Sequence, residues 1–139
     1  MVLTKIEIEK LLPHRAPFLF VDEILSADKE MIVGTQTFDE EDEALLSRDF
    51  PIPYPIILES MAQCGGAGIR SIGQTDGLFA LANLEFANFI LPAHFGETIR
   101  YEVKNLRMSE KMLKQSGKAY INDILIVEAA WMCVKISEI

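Results

Sequence analysis

The stretch Tyr54-Pro-Ile-Ile-Leu-Glu59-Ser-Met-Ala-Gln63-Cys-Gly-Gly66 places one carboxylate inside an otherwise apolar segment of helical period. Pro51, Pro53 and Pro55 suit the run into a helix start, where a missing backbone N–H is tolerated. Ile57, Leu58, Met61, Ala62, Gly65, Gly68, Ile69 and Ile72 recur at helical spacing and wrap more than half of the circumference. The spacing predicts a helix over 55–71, buried on most sides. Glu59 and Gln63, at i and i+4, share the polar stripe that remains. Two readings of Glu59 stand on spacing alone. An acid buried in this way loses solvation and can give or take a proton near neutral pH. An acid in a first helical turn can also do no more than complement the helix dipole. Gly65, Gly66 and Gly68 are poor helix formers, each costing up to about 1 kcal/mol, which predicts close approach of a sheet.

The flanking sequence supplies that sheet. Thr4-Lys-Ile-Glu7 is a capping-box pattern, opening a short helix that Pro13 stops. Phe18–Ala27 and Met31–Phe38 are rich in strand formers and meet at Asp28-Lys29-Glu30, a hairpin turn. The acidic run Asp39-Glu-Glu-Asp-Glu43 reads as a solvated loop. Gly73, Asp76 and Gly77 make the turn after the long helix. Leu78–Phe89, Thr98–Met108, Met112–Ile121 and Ile124–Ile136 then read as strands, with turns at Pro92–Gly96 and Asn122-Asp123. One apolar helix with a run of antiparallel strands is an α+β pattern in a single domain over 1–139.

Composition narrows the function. A net charge of −8 argues against nucleic acid as a partner. No apolar run approaches the roughly 20 residues of a membrane helix, which predicts no membrane insertion. The N-terminus mixes charges where a signal peptide has an apolar core, so a cytoplasmic protein is expected. Cys64 and Cys133 have no clustered ligands and read as reduced core residues, with no metal site. Arg100, Lys104, Arg107, Lys111, Lys114 and Lys118 gather positive charge, with residues 100, 104 and 118 able to share a sheet face. Ordinary charge alternation along a soluble edge explains them equally well.

Two segments carry a family resemblance: Leu12-Pro-His14-Arg15-Ala-Pro17-Phe18-Leu-Phe-Val-Asp22-Glu-Ile24 and Ile57-Leu-Glu59-Ser-Met-Ala-Gln63-Cys-Gly-Gly66. The first resembles the LPHRxPFLxVDxI opening of FabZ-type 3-hydroxyacyl-acyl-carrier-protein dehydratases, the second their central-helix pattern E-x-x-A-Q. Weaker similarity runs through Leu84-Glu-Phe86, Pro92, Gly96-Glu97, Ala129 and Cys133, so most of the chain is covered in order. The resemblance implies a hot-dog fold, an antiparallel sheet wrapped around one long helix. It also implies acid–base chemistry without cofactor or metal, on an acyl-carrier-protein thioester or an acyl-CoA, with Glu59 catalytic and Gln63 binding substrate.

One segment departs from the pattern. The family's catalytic histidine lies in an H-F-P-G-x-P-x-x-P-G loop, about fourteen residues before the glutamate. Here that spacing falls on Leu45, and a deletion aligns Asp49-Phe50-Pro51 instead. No glycine occurs between Gly34 and Gly65, so the family's carbonyl-polarising loop N–H is also missing its residue. The shortened loop resembles a branch of dehydratase-like proteins linked to aryl-polyene and related lipid pathways. Asp49 is a stand-in for the histidine if two carboxylates divide acid and base roles, or else an exposed loop residue beside Arg48. His14 reads as a capping or packing residue and His94, with no carboxylate partner apparent in sequence, as surface. Phe86, Phe89, Phe95 and Trp131 either line an acyl tunnel or are ordinary core.

Three functions remain open. The first is a 3-hydroxyacyl thioester dehydratase using Glu59. The second is a partner subunit that supplies acyl binding or half a site. The third is a hot-dog thioesterase in which an acid activates water. The resemblance implies a homodimer or trimer of dimers, with active sites spanning the dimer. A heterodimer with a histidine-bearing dehydratase would accordingly hold one complete site.

Overall fold

A computed structural model of the chain describes residues 2–73 and 77–137. The elements in order are α1 (Lys5–Glu9), β1 (Glu23–Ala27), β2 (Met31–Thr37), a 3-10 turn (Glu40–Ala44), α2 (Tyr54–Ser71), β3 (Leu78–Phe89), β4 (Thr98–Met108), β5 (Met112–Ile121) and β6 (Ile124–Ser137). The six strands form one antiparallel sheet in the order β1-β2-β4-β5-β6-β3, and α2 lies in its concavity. This is the hot-dog arrangement.

Local chemistry explains most boundaries. The Glu7 carboxylate accepts from the Thr4 N–H at 3.2 Å and opens α1 as the capping pattern predicts. The Asp28 carboxylate accepts from the N–H groups of Glu30 and Met31, both at 2.8 Å, and closes the β1–β2 hairpin. Asn122 and Asp123 both have positive φ, as a two-residue hairpin between β5 and β6 requires. Gly73 and Gly77 of the predicted exit turn also have positive φ, and Asp76 lies outside the described residues.

The acidic run is more ordered than a solvated loop. Asp39 accepts from the Glu41 N–H, Asp42 accepts from the Asp39 N–H, and Asp42 is buried. Burial holds the Asp42 carboxyl above the usual carboxylate range. The predicted strand at Phe18–Ala27 begins only at Glu23. The reason is competition for hydrogen bonds: Phe20 donates its N–H to Gln63 Oε1 at 2.8 Å and accepts at its C=O from Ser60 Oγ at 2.6 Å. Both backbone groups are thus taken by helix side chains instead of a neighbouring strand.

The core lies between α2 and the sheet. Ile57, Met61, Cys64, Ala67 and Ile69 are fully buried, against Ile32, Tyr101, Val103 and Trp131. A Cβ on Gly68 would run into Ile32, and one on Gly65 into Gln115. The glycines therefore record the close approach of the sheet that their low helix propensity implied. Gly66 faces open space by comparison, with Leu12 the nearest group at 3.8 Å from an added Cβ. Replacing Gly68 with Ala is expected to cost about 1–3 kcal/mol by overpacking. Replacing Gly66 with Ala is expected to gain up to about 1 kcal/mol from helix propensity. Urea unfolding of the two variants checks the contrast.

Candidate active site

One stripe of helix α2, Glu59, Ala62, Gln63, Gly66 and Arg70, forms the wall of a cavity of about 430 Å³. The opposite walls are Leu78–Leu81 of β3, Leu113 of β5, and Cys133 and Ile136 of β6, with Leu11–His14 closing one end. The lining is mostly apolar; His14, Glu59 and Gln63 gather at one end, and Arg70 lies toward the other.

Gln63 is buried, and its amide is divided three ways. Its Nε2 donates to the Phe18 carbonyl at 2.9 Å and to Glu59 Oε2 at 2.8 Å, while its Oε1 accepts from the Phe20 N–H. Both amide donors are therefore engaged within the chain, one holding the 18–20 segment and one orienting Glu59. A second buried chain supports the first: Tyr101 OH donates to Ser60 Oγ at 2.6 Å, and Ser60 donates to the Phe20 carbonyl. Burial holds the Tyr101 hydroxyl strongly toward its protonated form, so it remains a donor.

The apolar wrap predicts a largely buried Glu59. Its side chain is instead 38% exposed, because its stripe lines the cavity that separates α2 from β3, β5 and β6. His14, expected to cap or pack, lines the same cavity and brings Nε2 to 3.5 Å from Glu59 Oε2. Nothing in the spacing announced this meeting, since 45 residues separate the two. The guanidinium of Arg15 donates to the Leu12 and His14 carbonyls, at 2.9 and 2.7 Å, and fixes the turn that carries the imidazole.

The other candidates lie elsewhere. Asp49 is exposed on the loop that also holds Leu45, and neither lines the Glu59 cavity. Arg48 of that loop pairs with Glu43 and sits over the Phe95 ring, 5.5 Å from its centroid. His94 is exposed but has a carboxylate partner after all, Glu97, three residues on, at 3.4 Å. Trp131 is core, Phe89 stacks on Tyr54 with centroids 4.3 Å apart, and Phe86 is exposed. None of the four aromatic residues lines the cavity; Phe79 does. Half of the basic cluster sits beside acids. Arg100 pairs with Glu102 at 3.2 Å and Asp123 at 3.0 Å, Lys114 pairs with Glu85 at 2.9 Å, and Lys118 sits opposite Glu102 in register.

Comparison with known proteins shows the family. The family model for ApeP-like proteins, described as ApeP dehydratase, matches residues 6–78, just over half of the chain. The 3-hydroxyacyl-[acyl-carrier-protein] dehydratase FabZ of Fusobacterium nucleatum is 35% identical over 137 residues, covering 93% of this chain and 94% of the relative. The chain belongs to the FabZ-type, ApeP-like dehydratase family. FabZ of Solibacter usitatus is 36% identical over 132 residues, covering 91% of this chain and 82% of its own. Among solved structures, a chain of the dehydratase heterocomplex ApeI:P from Xenorhabdus doucetiae superposes with a TM-score of 0.83 at 16% identity. That match covers 94% of this chain and 91% of that one, and it shows the shared fold. The dehydratase family's two sequence segments meet in space here: Leu12, Pro13 and His14 of the first form the end wall beside Glu59 of the second.

Cys133 faces this cavity from β6, and burial pushes its thiol up to about 11, with the charge of Glu59 adding to the shift. Burial alone pushes Cys64 up to about 12. Both thiols keep their protons in the folded chain while the unfolded chain loses them from about pH 9. The folded state binds more protons across that interval, so stability falls as pH rises. The expected loss approaches 1.4 kcal/mol per pH unit for each thiol between about pH 9 and 11. Urea unfolding at stepped pH checks this, and Cys133→Ala is expected to make the decline shallower.

Proposed function

We propose that this chain is a subunit of a 3-hydroxyacyl thioester dehydratase, contributing Glu59 to an active site that a histidine-bearing partner chain completes. The observation that carries the reading is the Glu59 carboxylate, oriented by Gln63 at the polar end of an apolar cavity. The substrate is an acyl chain on acyl carrier protein, as the names of the FabZ relatives state for those proteins. Its tail runs along α2 from Glu59 toward Arg70, a span of about 16 Å at 1.5 Å per residue.

The reaction is an elimination. The C2 proton passes to an imidazole of the partner, and the C2–C3 double bond forms as the C3–O bond breaks. Glu59 gives its proton to the departing hydroxyl, which leaves as water. Gln63 acts by holding Glu59, since both its amide donors are already engaged. The partner docks on β3, the terminal strand of the sheet, where Leu81, Leu84, Phe86 and Phe89 are all exposed. Such an apolar unpaired edge is one that proteins cover. Leu81 also lines the cavity, so a strand added at that edge lies beside the Glu59 site. The heterocomplex named for the Xenorhabdus neighbour supports pairing of two unlike dehydratase chains. The subunit works in the cytoplasm, in fatty-acid or aryl-polyene-type lipid synthesis.

Co-expression with a histidine-bearing dehydratase-like chain from the same operon tests this. A stable complex is expected to dehydrate 3-hydroxyacyl carrier-protein thioesters, while this chain alone has little activity. Glu59→Ala in this chain is expected to lower the complex's rate by at least about 10²-fold. Full activity of that variant refutes the reading. Leu84→Lys is expected to leave the chain folded but block assembly, as sedimentation reads directly.

A further inference from the structure

We propose that His14 is a positioning residue that returns the proton to Glu59 after each turnover. The inference rests on the elimination described above and adds the step that makes Glu59 an acid again. Once the hydroxyl has left as water, Glu59 is a carboxylate. It must regain one proton before the next substrate can react.

The geometry assigns that delivery to one nitrogen. His14 Nε2 faces Glu59 Oε2 at 3.5 Å, longer than a full hydrogen bond but within reach of one after a small ring movement. The other ring nitrogen, Nδ1, is buried and has no hydrogen-bond partner among the described residues. Burial shields Nδ1 from the cavity, so proton traffic between cavity and imidazole uses Nε2. The His14 side chain is 34% exposed and lines the cavity, which lets Nε2 take a proton from cavity water. Oε2 is also the oxygen to which Gln63 donates, so the carboxylate is held in place while the proton arrives.

The charged and titratable surroundings leave no rival among the described cavity residues. From α2 the cavity receives only Glu59 and Arg70, and Arg70 donates to the Gly77 carbonyl at 2.6 Å near the far end. From β6 it receives Cys133, whose buried thiol keeps its proton. On the segment of His14 itself, Arg15 is turned onto backbone carbonyls and toward Glu9, 3.6 Å away. The remaining histidine, His94, pairs with Glu97 outside the cavity. The step balances: one proton moves from water to Nε2 and then to Glu59, and the hydroxide left behind takes the C2 proton from the partner's imidazolium, which re-forms water and restores both groups. Substrate and products are those of the elimination alone.

A relay acts after the bond-breaking step, so its loss separates single from repeated turnover. The test uses the assembled complex carrying His14→Gln, which keeps a hydrogen-bond donor near Glu59 but cannot pass a proton, and His14→Ala. Single-turnover rates are expected to stay within a few-fold of the parent. Steady-state kcat is expected to fall about 10²-fold, with KM falling alongside it. Added imidazole is expected to restore kcat in His14→Ala and not in His14→Gln. Equal losses in single and multiple turnover would mark a merely structural role and overturn the proposal. Unchanged kcat would overturn it too. Glu59→Ala in the same assay separates the two claims: if it leaves single turnover intact, the function itself is wrong. Should His14→Ala fail to fold, the turnover split in His14→Gln decides alone.

Discussion

The backbone of Phe20 is held from both sides by one helix. Ser60 and Gln63, three residues apart on α2, bond its C=O and N–H, and Tyr101 backs Ser60 from the sheet. Each of these groups is buried, and leaving any of them unpaired would cost on the order of 1–3 kcal/mol. This clamp fixes where the segment before β1 crosses α2. That crossing in turn places His14 and the end wall of the cavity. Without it, residues 18–22 would be free to extend β1, and the Glu59 end of the cavity would lose its boundary.

The same amide links architecture to chemistry. Gln63 spends one donor on the Phe18 carbonyl and the other on Glu59, so docking of the opening segment and orientation of the acid are one event. The glycines opposite serve the same end from the other side. Gly65 and Gly68 let Gln115 and Ile32 approach the helix, which seats α2 deep in the sheet and turns its Glu59 stripe toward the cavity. The acid is left 38% exposed in a lone chain, at a cavity wall shared with the uncovered edge strand β3. In the proposed heterodimer, one assembly step would both complete the site and cover that edge.

Much of this was legible in the sequence. Periodicity placed α2 within one residue, and β3, β4 and β5 at their observed ends, because long strands bounded by turn residues leave little freedom. The Glu59–Gln63 contact followed from i, i+4 spacing. Three features were not legible, for three reasons. Strand pairing at Phe18 and Phe20 lost to side-chain acceptors and donors on α2, a tertiary competition that local propensity does not encode. The burial of Asp42 depends on a capped 3-10 turn inside what reads as a charge run. The approach of His14 to Glu59 spans 45 residues and depends on the Phe20 clamp. The matched opening motif was its only signal, and that motif singled out no partner for the imidazole.

A structure of the assembled heterodimer with a non-reactive 3-hydroxyacyl thioester analogue tests the central claim most directly. The acyl chain is expected along α2, with its C3 hydroxyl about 2.6–3.2 Å from the Glu59 carboxylate. The partner's imidazole should then face C2 from the β3 side. An acyl chain bound outside this cavity, or a C3 hydroxyl out of reach of Glu59, would contradict it.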